Sequence, residues 1–326
     1  MKGRRSVWSN EELIAATRDF VVATDEVWRL QRGTDAESRH FQKMADQGHY
    51  GGGNGTRQGI YVLTARGDLL ASANSLNPKA ILRVTEEGQL AWAKTTAEQR
   101  TLPDGWTLER RRWEDSYPDG GLVLRSFNAD LGPNADRKRI NRDHLWLTAE
   151  EARGWLPTEP AVGAEHVVAP VITQRLVQFH LVDNVRGQTL PFAREDVAGS
   201  RIVTRVVHAS RGHVVFTIHG ETKAQTDGTW LMGENDWKPT TKYPRGVTTR
   251  IVGEGVFKRN GDGMQKLQFV ALGVRTGRTN LNGRPKDDVG PAKIGWVFEL
   301  VPQKPTTRIA PAFVDVYDAD WIVDPR

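Results

Sequence analysis

His180, Asp183, Asn184 and Arg186 fall together in the segment FHLVDNVRGQ, at the expected end of a helix. A histidine and an aspartate this close can act as an acid/base pair when both face one cleft. The same residues also suit a plain helix C-terminus, where His and Arg meet the negative end of the dipole. Further along, Arg275 to Asp288 forms a polar, highly charged stretch between two apolar runs. Long loops on rigid sheets often carry function, which makes this stretch, with Arg284 in it, the best candidate for a ligand-facing loop in its domain, beside its reading as a plain solvent loop. A catalytic reading of this half of the chain therefore rests on His180, Asp183 and Arg284.

Other chemistries are excluded or disfavoured. The chain has no cysteine, so thiol nucleophiles, disulfides and thiolate metal sites are absent. A zinc site needs three or more converging ligands. His208, His213 and His219 do not provide them, because six residues of extended strand separate His213 from His219 by about 20 Å. No metal or cofactor is expected. The glycine-rich run HYGGGNGTRQ lacks the lysine and following helix that a phosphate loop requires. It reads as a turn. No HExxH motif and no Ser-x-Gly nucleophile elbow appears either.

The 326 residues suffice for two domains, and 38% hydrophobic with 26% charged residues is ordinary for a globular protein. Net charge is +5. Its dense clusters are Lys2-Arg4-Arg5, Arg110-Arg111-Arg112 and Arg137-Lys138-Arg139, a weaker concentration than nucleic-acid binders usually show. The eleven tryptophans are scattered, which suits cores better than a stacking platform. No apolar run approaches the roughly 18 residues that cross a bilayer. The N-terminal segment is basic at first and then broken by Asn10, Glu11, Glu12, Arg18 and Asp19, a poor secretory signal. A cytoplasmic location is the expectation, with a removed leader as the other case.

Local signals place the elements. Ser9 to Glu12 reads as a capping box, opening a helix that ends near Val22. Asp25 to Leu30 reads as a short strand. Thr34 to Glu37 reads as a second capping box, and the helix after it buries Phe41, Met44 and Ala45. GIYVLT, ARGD and LLASAN make a hairpin, and Asn77-Pro78 starts another helix that packs on it.

This order over residues 9–95, with the TRQGIYVLTARGDLLAS hairpin, resembles the thioredoxin fold, and its wording is similar to uncharacterised bacterial proteins carrying that domain. The resemblance implies an α/β thioredoxin-like N-terminal domain. It departs from the family where chemistry is concerned. Ser38 stands at or beside the position of the redox cysteine, and Thr56-Arg57-Gln58-Gly59 replaces the cis-proline segment, so thiol-disulfide exchange is excluded. By analogy with the family, Ser38, His49, Tyr50, Arg57 and Gln58 would line a shallow polar groove for a protein partner.

Residues 99–120 read as a linker between this domain (1–98) and a second one (121–326). The second domain switches to period two from Ser200 onward. Its short turns lie at Ser210-Arg211-Gly212 and Asn260-Gly261-Asp262-Gly263. A helix is expected from Ala169 to Asp183. About five antiparallel strands with one or two helices give an α+β domain with a mainly antiparallel β-sheet. The leading functional expectation is a non-enzymatic binding or scaffold protein that holds a protein partner or small ligand. An enzyme sited in the second domain is the alternative, followed by weak nucleic-acid binding. No membrane association is expected.

Overall fold

The computed structural model describes residues 8, 10–23, 27–51, 56–75, 77–102, 117–133, 135, 140–186, 189, 191–226, 244–259, 263–278, 284–285, 287–304 and 307–312, with only the backbone of 28 and 29. Three expected features lie outside these residues: the three basic clusters, the core of the glycine-rich run, and most of the linker. The chain divides into two compact units, Gly3–Arg110 and Arg111–Arg326.

In unit 1 the first helix, α1 (Glu11–Ala16), is capped by Asn10, whose side chain accepts from the Leu13 amide at 3.1 Å. It stops earlier than expected. Thr17 turns its hydroxyl back onto the Leu13 carbonyl at 2.8 Å, a bond that competes with helix continuation. The expected strand at Asp25–Leu30 is instead a helical turn, α2 (Val27–Leu30). A strand needs a neighbour, and here the Leu30 and Gly33 carbonyls are both taken by the Gln42 side-chain amide, each at 2.9 Å. Helix α3 (Ala36–Ala45) is capped by Asp35 rather than Thr34, because the Asp35 carboxylate receives the Ser38 amide at 2.9 Å.

The expected hairpin is present as β1 (Ile60–Leu63) and β2 (Leu69–Ala73), antiparallel with Ile60 opposite Ala73. Among the described residues these two strands are the whole sheet of unit 1. Helix α4 (Pro78–Trp92) starts at the Asn77 cap with Pro at its first turn, and buries Ile81, Val84, Thr85 and Gly88. Gly88 sets how closely α4 meets the hairpin: a Cβ there would lie 2.5 Å from Val62 Cγ1. A short helix, α5 (Ala97–Arg100), follows.

Unit 2 is built on one eight-stranded antiparallel sheet. Its strands are β3 (Leu122–Asp130), β4 (Ile140–Leu147), β5 (Glu165–Val167), β6 (Arg201–Ala209), β7 (His213–Thr226), β8 (Arg245–Lys258), β9 (Gly263–Gly277) and β10 (Ala292–Leu300). They lie in the order β4-β3-β10-β9-β8-β7-β6-β5. The mainly antiparallel sheet expected from the period-two pattern is there, with more strands than the pattern displayed. Alternate residues turn inward: Leu122 and Leu124 on β3, Phe216 and Ile218 on β7, Ile294, Trp296 and Phe298 on β10 all belong to one buried cluster. Phe269 and Phe298 stack at 4.6 Å, a contact worth about 0.5–1.5 kcal/mol beyond the area it buries.

Two helical pieces close this inner face. Helix α6 (Ala149–Arg153) starts with a full capping box between Thr148 and Glu151. Helix α7 (Pro170–Arg175) begins at a proline and continues as a π-helical turn, Leu176–His180, buried at every residue. Arg175 joins the two. Its guanidinium forks onto the Glu151 carboxylate with both contacts at 2.6 Å, and both side chains are buried.

Candidate functional site

Strand β8 opens with Arg245, and the alternation that turns Val247 and Ile251 into the core turns Arg245 inward too. Its neighbours across the sheet are Thr226 on β7 and Gly277 on β9. The side chain is only 6% exposed. Its guanidinium lies over the Phe192 ring, 4.3 Å from the centroid, and Nη2 donates to the Pro191 carbonyl at 2.7 Å. Nη1 is buried and has no hydrogen-bond partner among the described residues. Among the described residues no carboxylate pairs with Arg245. Burial pulls its pKa down to about 10, while the fields of Asp196 and Asp183 act the other way. A cation held this far from water without a counter-charge is costly unless something completes it.

Arg245 borders a cleft of about 470 Å³, shared with Gln225, Pro244, Thr276, Gly277 and Arg278. Behind it lies a void of about 10 Å³, touching Asp183, Thr189 and Phe192, about the size of one water molecule. Gly277 is what lets β8 and β9 meet at this rim. Its φ is +73°, and a Cβ would stand 1.8 Å from the Pro244 carbonyl oxygen.

The wall of the void continues into a charged network around Arg284. This guanidinium is 3% exposed. Its Nη2 donates to Asp183 Oδ1 at 2.7 Å and to Asp130 Oδ1 at 2.6 Å, and its Nε donates to Asp183 Oδ2. Nη1 reaches Asp288 Oδ2 at 2.9 Å. Arg275 holds the same Asp288 through its carbonyl at 2.7 Å and through its carboxylate. Arg186 stands 3.5 Å from Asp130 and 3.6 Å from Asp288. Burial alone would lower the Arg284 pKa, but the bonds to Asp183 and Asp130 hold it above its ordinary value. Burial alone would raise Asp288, yet hydrogen bonds from Arg275 and Arg284 hold it below the usual carboxylate range. Three guanidinium groups and three carboxylates thus tie residues 284–288 to β3, β9 and the segment after the π-helical turn.

Asp183 and Arg284, both candidates from the sequence, are brought together as a locked ion pair. Asp183 gives both oxygens to Arg284. His180 is placed beside a different carboxylate: its Nδ1 lies 3.4 Å from Asp143 Oδ2 on β4, and both residues are buried. Asp143 Oδ1 in turn accepts the Ala312 amide at 2.7 Å.

In unit 1 Ser38 is fully buried, and its hydroxyl donates to Asp35 Oδ2 at 2.6 Å. It lines no open surface. Arg57 forks onto Asp46, with Nε to Oδ1 at 2.6 Å and Nη2 to Oδ2 at 3.1 Å, and this hydrogen bonding raises its pKa. His49 stacks on Tyr61 at 5.3 Å and touches Tyr50 at 4.5 Å, and its Nε2 lies 3.2 Å from the Gln58 carbonyl oxygen. Tyr61 donates to the Arg57 carbonyl at 2.6 Å. His49, Tyr50, Arg57 and Gln58 do assemble, but their bonds run to one another and to neighbours in unit 1: Arg57 to Asp46 and Gln31, the His49 amide to Ser72, and Asn74 to the Tyr50 hydroxyl.

Arg245 was not singled out by spacing or motif. The signal for it is positional: a charged residue at an inward place in the alternation Arg245, Val247, Thr249, Ile251. No family model matches this chain, and neither a curated protein nor a solved structure does.

Proposed function

We propose that the chain is a non-enzymatic binding protein whose unit 2 holds a small anionic molecule in the cleft at Arg245. The observation that carries this reading is the buried guanidinium that, among the described residues, has one amino group unpartnered and no paired carboxylate. An anion entering the cleft supplies the missing charge, and a cleft of about 470 Å³ lies within the range of small-molecule sites. Thr276 and Gln225 add polar contacts on the rim, and Pro244 adds an apolar one. The engagement of Asp183 by Arg284 favours binding over catalysis, since a carboxylate locked in a guanidinium fork is a poor proton acceptor.

For unit 1 the order of capped helix, hairpin and capped helix over residues 36–92 supports a thioredoxin-like reading, and the helical turn at Val27–Leu30 stands against it.

The test is thermal unfolding of the full chain with benzoate, succinate or inorganic phosphate at rising concentration. A ligand that binds only the folded state stabilises by about 2.7 kcal/mol at a hundred times its Kd. At least one of these anions should raise the melting temperature of the wild type in a saturable way and leave Arg245→Met unmoved. Equal shifts in both proteins, or no saturable shift with any of the three, would overturn the proposal.

A further inference from the structure

At the far end of the β6–β7 hairpin from Arg245's strand opening, two histidines meet. His208 lies opposite Val215 in the register, so His213, two residues before Val215, is its diagonal neighbour on the same face. The two imidazole centres are 5.6 Å apart and tilted by 34°. Both side chains are exposed. Among the described residues neither ring has a hydrogen-bond partner, so their ring nitrogens are open to a ligand. The three-histidine site weighed from the sequence fails on His219, but this pair does not need it.

We propose that His208 and His213 form a two-histidine site for a divalent late transition-metal ion at the tip of this hairpin. The spacing supports it. An ion about 2.1 Å from an imidazole nitrogen lies about 3.2 Å from the ring centre, so two rings on one tetrahedral ion have centres about 5.2 Å apart. The observed separation of 5.6 Å needs only a slightly wider angle at the metal.

The turn between the histidines is built to hold them. The Ser210 hydroxyl accepts the Gly212 amide at 3.3 Å and the His213 amide at 3.1 Å, and the Ser210 amide donates to the His213 carbonyl at 2.9 Å. The Arg259 amide ties the turn to the end of β8 through the Gly212 carbonyl at 2.9 Å. A rigid turn lowers the ordering cost of chelation. Two neutral imidazoles suit zinc, nickel or copper and are poor ligands for magnesium or calcium. Lys258, opposite His213 on β8, places a positive charge nearby that weakens the site. Water fills the remaining positions on the ion.

Calorimetric titration of the untagged full chain with zinc chloride, in a buffer that does not coordinate metals, tests this directly. The wild type should show one saturable site. His208→Gln and His213→Gln should each weaken it about tenfold or more, whereas His219→Gln, on the same strand face, should leave it unchanged. All three side chains are exposed, so the variants should fold, which melting curves verify. The proposal fails if the wild type shows no saturable zinc binding. It fails equally if both variants bind as tightly as the wild type, or if His219→Gln weakens binding as much as they do.

Discussion

Arg284 and Asp183, 101 residues apart in the chain, meet as a buried two-point ion pair that joins the β9–β10 connection to the segment after the π-helical turn. Arg284 also holds Asp130 and Asp288, so removing Asp183 leaves a buried guanidinium short of one carboxylate rather than bare. Breaking one partner of a buried pair costs about 3–5 kcal/mol. Asp183→Ala is expected near the lower end of that range, because Asp130 keeps part of the compensation. Urea unfolding monitored by tryptophan fluorescence checks this. A loss under about 1 kcal/mol would show that the pair adds little to stability.

Asp288 carries a pH dependence with a definite sign. Its folded-state pKa lies below the ordinary value of 3.8, held down against burial by Arg275 and Arg284. A carboxyl depressed in the folded state contributes stability that is fully present above its unfolded pKa. That contribution is lost as pH falls through the folded value. Wild type should therefore be more stable than Asp288→Asn by a constant margin at pH 5 to 7, and the margin should shrink below pH 3.8. Parallel urea titrations across pH 2.5 to 7 measure it. A margin that grows on acidification would contradict the geometry.

How much of this was legible beforehand differs between the two units. Elements defined by local chemistry were readable: the hairpin around Ala65–Asp68, the Asn77-Pro78 helix start, and the alternating strands from Arg201 onward. Strand β4 was not, because INRDHLWL does not alternate, and its burial comes from Leu145, Trp146 and Leu147 being covered on both faces. The turn at Val27–Leu30 looked like a strand because VWRL suits either state, and only the Gln42 contacts decide it. Caps shifted by one residue at Asn10 and Asp35, each of which accepts the amide three residues on, Leu13 and Ser38. The site itself was half visible. Asp183 and Arg284 stood out as polar residues in informative places, but their pairing is long-range. Arg245 carried no motif, and only knowledge of which strand positions face inward exposes it.

Gly277 sets how closely β8 and β9 approach at the cleft rim. Its φ of +73° disfavours any side chain, and a Cβ would collide with the Pro244 carbonyl and with Arg245 Cα. Gly277→Ala should destabilise unit 2 by more than about 1 kcal/mol. It should also push β8 from β9 at Arg245, so anion binding weakens along with stability. Gly290→Ala is the control, since nothing lies within 4 Å of its added Cβ. If both variants melt alike, the close approach of the two strands at Gly277 is not a constraint.

Anion binding at Arg245 should fall at a pH set by that residue. Burial lowers its pKa to about 10, so in the free protein half of the guanidinium population would be deprotonated there. For a base whose folded pKa is lowered, the folded state opposes the charged form, and that opposition is fully present below pH 10. An anion reverses it by pairing with the charge, so binding requires the protonated form and raises its pKa. Benzoate stays ionised throughout this range, which leaves the protein as the titrating partner. Its affinity should be flat to about pH 9 and then fall, approaching tenfold per pH unit above the Arg245 pKa. Arg245→Lys should move the fall to lower pH, because a buried ammonium titrates below its ordinary value. Calorimetry from pH 7 to 11 with both proteins makes the measurement. A decline at the same pH in both would assign the titration to another group and remove Arg245 from the site.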